Sequence, residues 1–484
     1  MSTAVGGESH TAPHPPVSGR GGVVWALSLT AIVGLAWLAY SPMLGTYFHH
    51  DDFNWLRVAR QWQADPANLA WGDTGVTVLW NLLFFTAYQL GSWHDATPYF
   101  AGLICAHMLC SILVSWLLWQ LTADRAAALA AGVVFAVLAT HHEAVGWLAA
   151  GPHVVMTVFL LLSANLWLAF ANGATWPRVP GPLAVLATLL TKDSGVVVAP
   201  IAAVVHAFSG MGRGRKRWQP ALWWFIPPYT LLLIWRVLLP PTREAIEAGG
   251  ADYQLGWHVL SNFVSCVPQM LVPDLAYPNY HALLVRFVGG GPADTLVAIS
   301  HAAIGALFIA SVIAVLRGSR LVRLSVLWCY VAFLPVAPFS YDYARAPRYQ
   351  YAGSVGLALL LGMGIRWLLR RARGYSIRRA GVMVALGALI VANLLPLRLL
   401  AEHRMRDSHL RRIALWYVLE QVPTPADGDT FYLIGLPEHL EDLQLAVPII
   451  YPVEVTARLG PPQTPAARTH VIDLSHIVAA PGET

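Results

Sequence analysis

Apolar runs of about 20 residues, each long enough to cross a bilayer as a helix, recur along most of this chain. The runs 23–44, 98–121, 125–147, 153–172, 221–239, 293–316, 321–339, 349–369 and 380–400 each predict a spanning helix. Between the fourth and fifth lies GPLAVLATLLTKDSGVVVAPIAAVVHAF, residues 181–208, which is longer than one span requires and is interrupted at Thr191-Lys192-Asp193-Ser194. Two shorter helices meeting at a turn fit this stretch better than one helix with a charged pair at mid-membrane. The first run is too long for a signal-peptide core and lacks a convincing cleavage site, so it predicts a retained helix.

The segments between the runs carry different periodicities. Residues 54–63 place Trp55, Leu56, Val58, Ala59 and Trp62 as the apolar side of a short interfacial helix, and 255–271 has the same character. After residue 400 the membrane-like pattern ends. GDTFYLIGLPEHL, VPIIYPVEVTARL and THVIDL alternate like short strands separated by Pro and Gly. The expected architecture is an all-α polytopic membrane protein of about eleven membrane segments with a small C-terminal mixed α/β appendage. Its parts are a disordered N-terminus (1–22), a membrane domain (23–400) with outer loops 46–97 and 240–292, and an extracytoplasmic tail domain (401–484).

Composition agrees: 56% of the chain is hydrophobic and 12% charged, about half the charge of a soluble domain. The net charge of +5 is not a nucleic-acid signature, because the basic residues cluster between apolar runs. With 181–208 counted as two passes, GRGRKRW, RGSRLVR and RWLLRRARGYSIRR fall on the N-terminal side of the membrane, as the positive-inside rule requires. That fixes an inner-membrane topology with a cytoplasmic N-terminus and an outward C-terminus. Cys105, Cys110, Cys266 and Cys329 form neither a CxxC pair nor a Cys/His ligand spacing.

Under this topology four polar stretches share the outer face. GTYFHHDDFNWLRVARQW brings Asp51 and Asp52, either of which can accept a proton from a hydroxyl, while an Asp there also suits an N-cap. His49-His50, His94-Asp95, His141-His142-Glu143 and His153 could offer imidazole to a divalent metal, although adjacent histidines rarely share one ion; no bound metal and no certain cofactor is expected. Lys192, one of only two lysines in the chain, sits between apolar helices. Asp193 or Ser194 can cap the second helix there, making an anion site with Lys192 in preference to an internal Lys–Asp pair. YDYARAPRYQYAG brings Arg345 and Arg348 to grip phosphate, and tyrosines, Tyr349 and Tyr351 among them, to meet a sugar. No GxxxxGK[ST] or strand-linked GxGxxG is present, which removes the common soluble nucleotide sites.

In order, HHDDF, HHEAVGWLAAGPHVV, LLTKDSGVVVAP and PRYQYAGSVGLALL resemble the motifs of the GT-C glycosyltransferases that use polyprenyl-phosphate sugars. The likeness is to protein O-mannosyltransferases and transmembrane/TPR mannosyltransferases, without the TPR repeats. It implies a hexosyltransferase that moves a sugar from a lipid-phosphate donor to a hydroxyl acceptor on the extracytoplasmic face by inverting displacement. By the same resemblance Asp51 or Asp52 is the general base, Lys192 and Arg348 attend the donor phosphate, and His142, Glu143, Tyr349 and Tyr351 lie nearby. Asp193 stands where the family has Glu, and TGVTVLWN replaces an Arg-Pro segment of the first loop. The alternative is a polytopic transporter or lipid flippase, which would also use broken helices and membrane-buried charge. Against it, no inverted repeat is visible and the polar residues gather on one face.

Overall fold

A computed structural model of the chain describes residues 19–66, 77–209, 219–238, 255–271, 281, 284–285, 288–340, 344–372, 374–436, 440–451, 453–461 and 468–475. The basic cluster at 212–218, most of the loop 240–292, and Tyr341 and Tyr343 lie outside the described residues.

The helices are α1 (Gly19–Tyr40), α2 (Asp52–Ala64), α3 (Val78–Gly91), α4 (Thr97–Thr122), α5 (Arg125–Val137), α6 (His142–Gly146), α7 (Gly151–Ala171) and α8 (Pro180–Thr191). They continue as α9 (Val198–Phe208), α10 (Gln219–Leu238), α11 (Trp257–Gln269), α12 (Gly290–Arg317), α13 (Arg320–Phe333), α14 (Ser354–Arg371), α15 (Ser376–Gln421) and α16 (Leu443–Ile450). Each of the eleven expected membrane segments coincides with a helix or, for α5 and α6, with a pair bent by 49°. Six of the described helices are long and apolar enough to cross a membrane, or seven with that bent pair as one span.

Burial sorts these helices. Most of α7 is buried, and α4, α5, α7, α8 and α14 pack on one another as the core. At Gly362 of α14 a Cβ would run into the Ala127 carbonyl and Ala131 of α5, so the missing side chain sets how closely these two helices approach. By contrast α10, α12 and the first half of α15 display Trp223, Val237, Ile309, Ile377 and Val384 outward, as lipid-facing helices do. The chain is a multi-pass membrane protein.

Two expectations change. Residues 46–97, expected as a loop around one interfacial helix, contain a second helix, α3. Its run VLWNLLFFTAYQLG is apolar, and at 14 residues it is too short to span, so it packs Trp80, Phe84 and Tyr88 inward instead. Beyond residue 400, α15 continues unbroken to Gln421, because AEHRMRDSHLRRIALWYVLEQ loses apolarity but keeps good helix formers. It leads to β1 (Thr430–Ile434), β2 (Thr456–Leu459) and β3 (Thr469–Asp473), a sheet in the order β2-β1-β3 with both pairings parallel. Parallel neighbours need a crossover, and α16 supplies the one between β1 and β2.

Candidate active site

The chain after α1 turns through a short 3-10 segment (Ser41–Gly45) and enters α2 at Asp52. The two neighbouring aspartates have opposite surroundings. Asp52 is fully buried: its Oδ1 accepts from the Ala149 N–H at 2.8 Å and its Oδ2 from the His49 N–H at 3.2 Å. The His49 ring adds an Nδ1 at 3.1 Å from Oδ2. A buried carboxylate held by several donors is a satisfied one, and it ties the first loop to the segment leading into α7. Asp51 is exposed at the N-cap position of α2, yet its side chain makes no capping bond. Its carboxylate has no hydrogen-bond or ion-pair partner among the described residues.

The residue before Asp51 is held from the far end of the chain. His50 has φ of 48°, a left-handed conformation unusual for a non-glycine residue. Its N–H donates to Asp442 Oδ2 at 2.7 Å, and Asp442 also accepts from Arg411 Nε at 2.9 Å. Arg411 and Asp442 are both buried, and α16, which follows Asp442, packs on α2. Burial and the neighbouring His49 push the His50 imidazole below its usual range, which favours a neutral ring beside this charge pair. The Asp442→Asn variant is expected to lose about 1.5–3 kcal/mol of stability, the worth of hydrogen bonds to a charged group. Thermal unfolding in detergent checks this, and an unchanged midpoint would remove Asp442 as the anchor.

On the other side of the Asp52 anchor stand the cations. Glu143, in α6, is ion-paired with the Arg348 guanidinium and accepts the Arg348 backbone N–H at 3.1 Å. The guanidinium carbon lies 5.0 Å from the Trp147 ring centre and 4.8 Å from that of Tyr349, within cation–π range. Trp147 is 6.1 Å from the His49 ring, so one indole bridges the acidic loop and the arginine. Its Nε1 is buried without a hydrogen-bond acceptor among the described residues. Tyr349 in turn meets the His153 ring edge-on at 5.0 Å, and His153 opens α7.

Lys192 completes the group. It is extended between α8 and a 3-10 turn (Asp193–Val197), and it lies within electrostatic reach of Asp193 and Arg348, while His153 feels both cations. At Gly195 a Cβ would collide with the Thr188 carbonyl, so the turn can fold back on α8 only because that position lacks a side chain. The ammonium makes no hydrogen bond or ion pair among the described residues.

Several expected roles come out differently. Neither Asp193 nor Ser194 caps α9, since the 3-10 turn intervenes; Asp193 is ion-paired with Arg236 of α10 and Ser194 donates to Met156 Sδ. Arg345 is buried next to the cluster of Cys266, Phe333, Ala337, Ala344 and Ala346, and the ion pair with Glu143 belongs to Arg348. Tyr351 is fully buried, its hydroxyl 2.7 Å from His107 Nδ1 and its ring against His141 and Phe135, so it packs the helix core instead of meeting a sugar. His142 shares its Nδ1 with the Ala139 carbonyl at 3.0 Å and lends its own carbonyl to Arg404. Among the described residues no three His, Cys, Asp or Glu side chains gather as a metal ligand set.

No protein-family model matches the chain, and no curated protein does. Solved structures do. The chain is similar to the apo oligosaccharyltransferase of Archaeoglobus fulgidus, at 14% identity and a TM-score of 0.53, over 91% of this chain and 65% of that one. The archaeal AglB from the same organism, in complex with an inhibitory peptide and a dolichol-phosphate, gives 13% identity and a TM-score of 0.51 over 91% and 65%. ArnT from Cupriavidus metallidurans in the apo state gives 14% and 0.48 over 90% and 86%. This chain thus spans about 65% of the length of the archaeal protein. The likeness establishes the fold, which this chain shares with the archaeal membrane protein.

Proposed function

We propose that the chain is a membrane glycosyltransferase that moves a sugar from a polyprenyl-phosphate donor to a hydroxyl acceptor, with Asp51 as general base. The acceptor oxygen attacks the anomeric carbon as Asp51 takes its proton. The bond from that carbon to the phosphate oxygen breaks on the opposite face, so the configuration inverts. Lys192 and the Arg348 guanidinium meet the charge that grows on the departing lipid phosphate. Asp52, Trp147 and Glu143 hold these groups in place and touch no reacting atom.

One arrangement carries this reading: an exposed carboxylate with no partner among the described residues sits beside a buried one whose anchor leads through Trp147 to two cations. The dolichol-phosphate bound by the archaeal protein of the same fold supports a lipid-phosphate donor here. The arginine clusters support a site facing away from the cytoplasm. Arg366, Arg370 and Arg371 lie near the far end of α14 from Arg348, where the positive-inside rule puts the cytoplasm. The mannosyltransferase likeness of the motifs makes a hexose the expected cargo.

The test is reconstitution of the purified chain in lipid discs with a panel of polyprenyl-phosphate sugars and hydroxyl acceptors. Acceptor-dependent release of the lipid phosphate, with an inverted anomeric centre in the product, is expected for at least one donor. If no donor in the panel releases lipid phosphate, while labelled lipid crosses the bilayer, the flippase alternative takes its place.

A further inference from the structure

We infer that the arginine-lined cavity where α14 meets α15 binds the headgroup phosphate of an anionic phospholipid. The cavity encloses about 510 Å³, and Arg366, Arg379, Tyr375 and Ser376 are among its lining residues. The charge around it is unbalanced. Arg366 Nε and Arg370 Nη2 both donate to Asp124 Oδ2, each at 2.6 Å, so one carboxylate serves two guanidinium groups. Arg371 lies over Trp367 and Arg378 over Tyr375, each with its guanidinium carbon 4.3 Å from the ring centre. The Arg379 side chain has no hydrogen-bond or ion-pair partner among the described residues and is exposed at the cavity wall. Two of these five arginines, Arg366 and Arg379, line the cavity, and among the described residues Asp124 is ion-paired only with Arg366 and Arg370, so a ligand with phosphate oxygens would neutralise what Asp124 leaves over.

Position selects a lipid as the source of that phosphate. The 18 residues of α14 rise roughly 27 Å, close to the thickness of a hydrocarbon core. With α14 as a membrane segment, as its apolar run 349–369 predicts, the cavity falls at the membrane boundary away from Arg348. Trp367, Ile377, Met383 and Val384 are all more than half exposed beside it, an apolar surface suited to acyl chains. Basic pockets at such a boundary recognise anionic headgroups. The inference rests on the membrane fold and not on the transfer reaction.

The full chain, delipidated in detergent, is titrated with phosphatidylglycerol, with phosphatidylcholine and with inorganic phosphate, and read by native mass spectrometry and thermal unfolding. Phosphatidylglycerol is expected to stay bound and raise the unfolding midpoint, with phosphatidylcholine and phosphate doing neither. The Arg378→Ala, Arg379→Ala double variant should retain phosphatidylglycerol roughly tenfold less well or worse. The control pair Arg317→Ala, Arg320→Ala, at a basic turn away from this cavity, should retain it as the parent does. Equal retention of the two lipids, displacement by inorganic phosphate, or equal losses in both double variants would each overturn the assignment. The comparison of lipids on the parent chain decides the matter even if the double variant fails to fold.

Discussion

Asp51→Asn is expected to lower acceptor-dependent release of lipid phosphate by roughly 10²–10⁴-fold, the usual contribution of a general base. The same variant should insert normally and unfold at the parent temperature, because Asp51 is exposed and its side chain holds no partner among the described residues. Asp52→Asn is expected to behave otherwise. An amide can accept from only one of the two N–H groups that the Asp52 carboxylate now serves, those of Ala149 and His49. The other donor, or the amide's own NH₂, is then left unsatisfied in a buried place. That variant should lose stability together with activity, since the first loop comes loose from the segment entering α7. Comparing the two separates a proton acceptor from the residue that positions it. Full turnover in Asp51→Asn would remove the carboxylate base from the mechanism.

The contrast between these neighbours shows where sequence reading runs out. HHDDF presents two equivalent acids, and nothing local says which is buried. The difference comes from Ala149, 97 positions away, and from Asp442, whose bond to the His50 N–H spans 392 positions. The membrane helices were legible because their signal is local: length, apolarity and the broken TKDSG turn. The short helix α3 was not, since an apolar run of that length reads equally as a packed helix or a fragment of a span. Tyr351 illustrates the reverse error. Its place two residues after Tyr349 suggested a shared role, but the 3-10 turn (Pro347–Gln350) sends one ring to Arg348 and the other into the core beside His107. Trp147 and His153 stood within the quoted HHEAVGWLAAGPHVV motif. Their value as the bridge and the second wall of the cation group became visible only with Arg348 in place.

Arg348→Ala should combine two effects that a second substitution can pull apart. The guanidinium is the ion-pair partner of Glu143, and both side chains are mostly buried. Removing it strands a buried carboxylate, which costs about 3–5 kcal/mol in comparable pairs. It also removes a cation from the expected path of the leaving phosphate, where a charge-assisted hydrogen bond is worth about 1.5–3 kcal/mol. The double variant Arg348→Ala, Glu143→Ala takes away the stranded acid along with the base. Its unfolding midpoint is expected to recover most of the loss, while lipid-phosphate release stays low. Lys192→Ala provides the cleaner counterpart, since its ammonium makes no hydrogen bond or ion pair among the described residues and the acid within its electrostatic reach, Asp193, keeps Arg236 as its ion-pair partner. It should leave stability unchanged and lower kcat/KM for the donor by roughly 10–100-fold, with part of the loss in kcat because phosphate charge grows toward the transition state. Recovery of transfer along with stability in the double variant would make Arg348 a structural residue alone. Lys192 would then be the sole cation left to receive the departing phosphate.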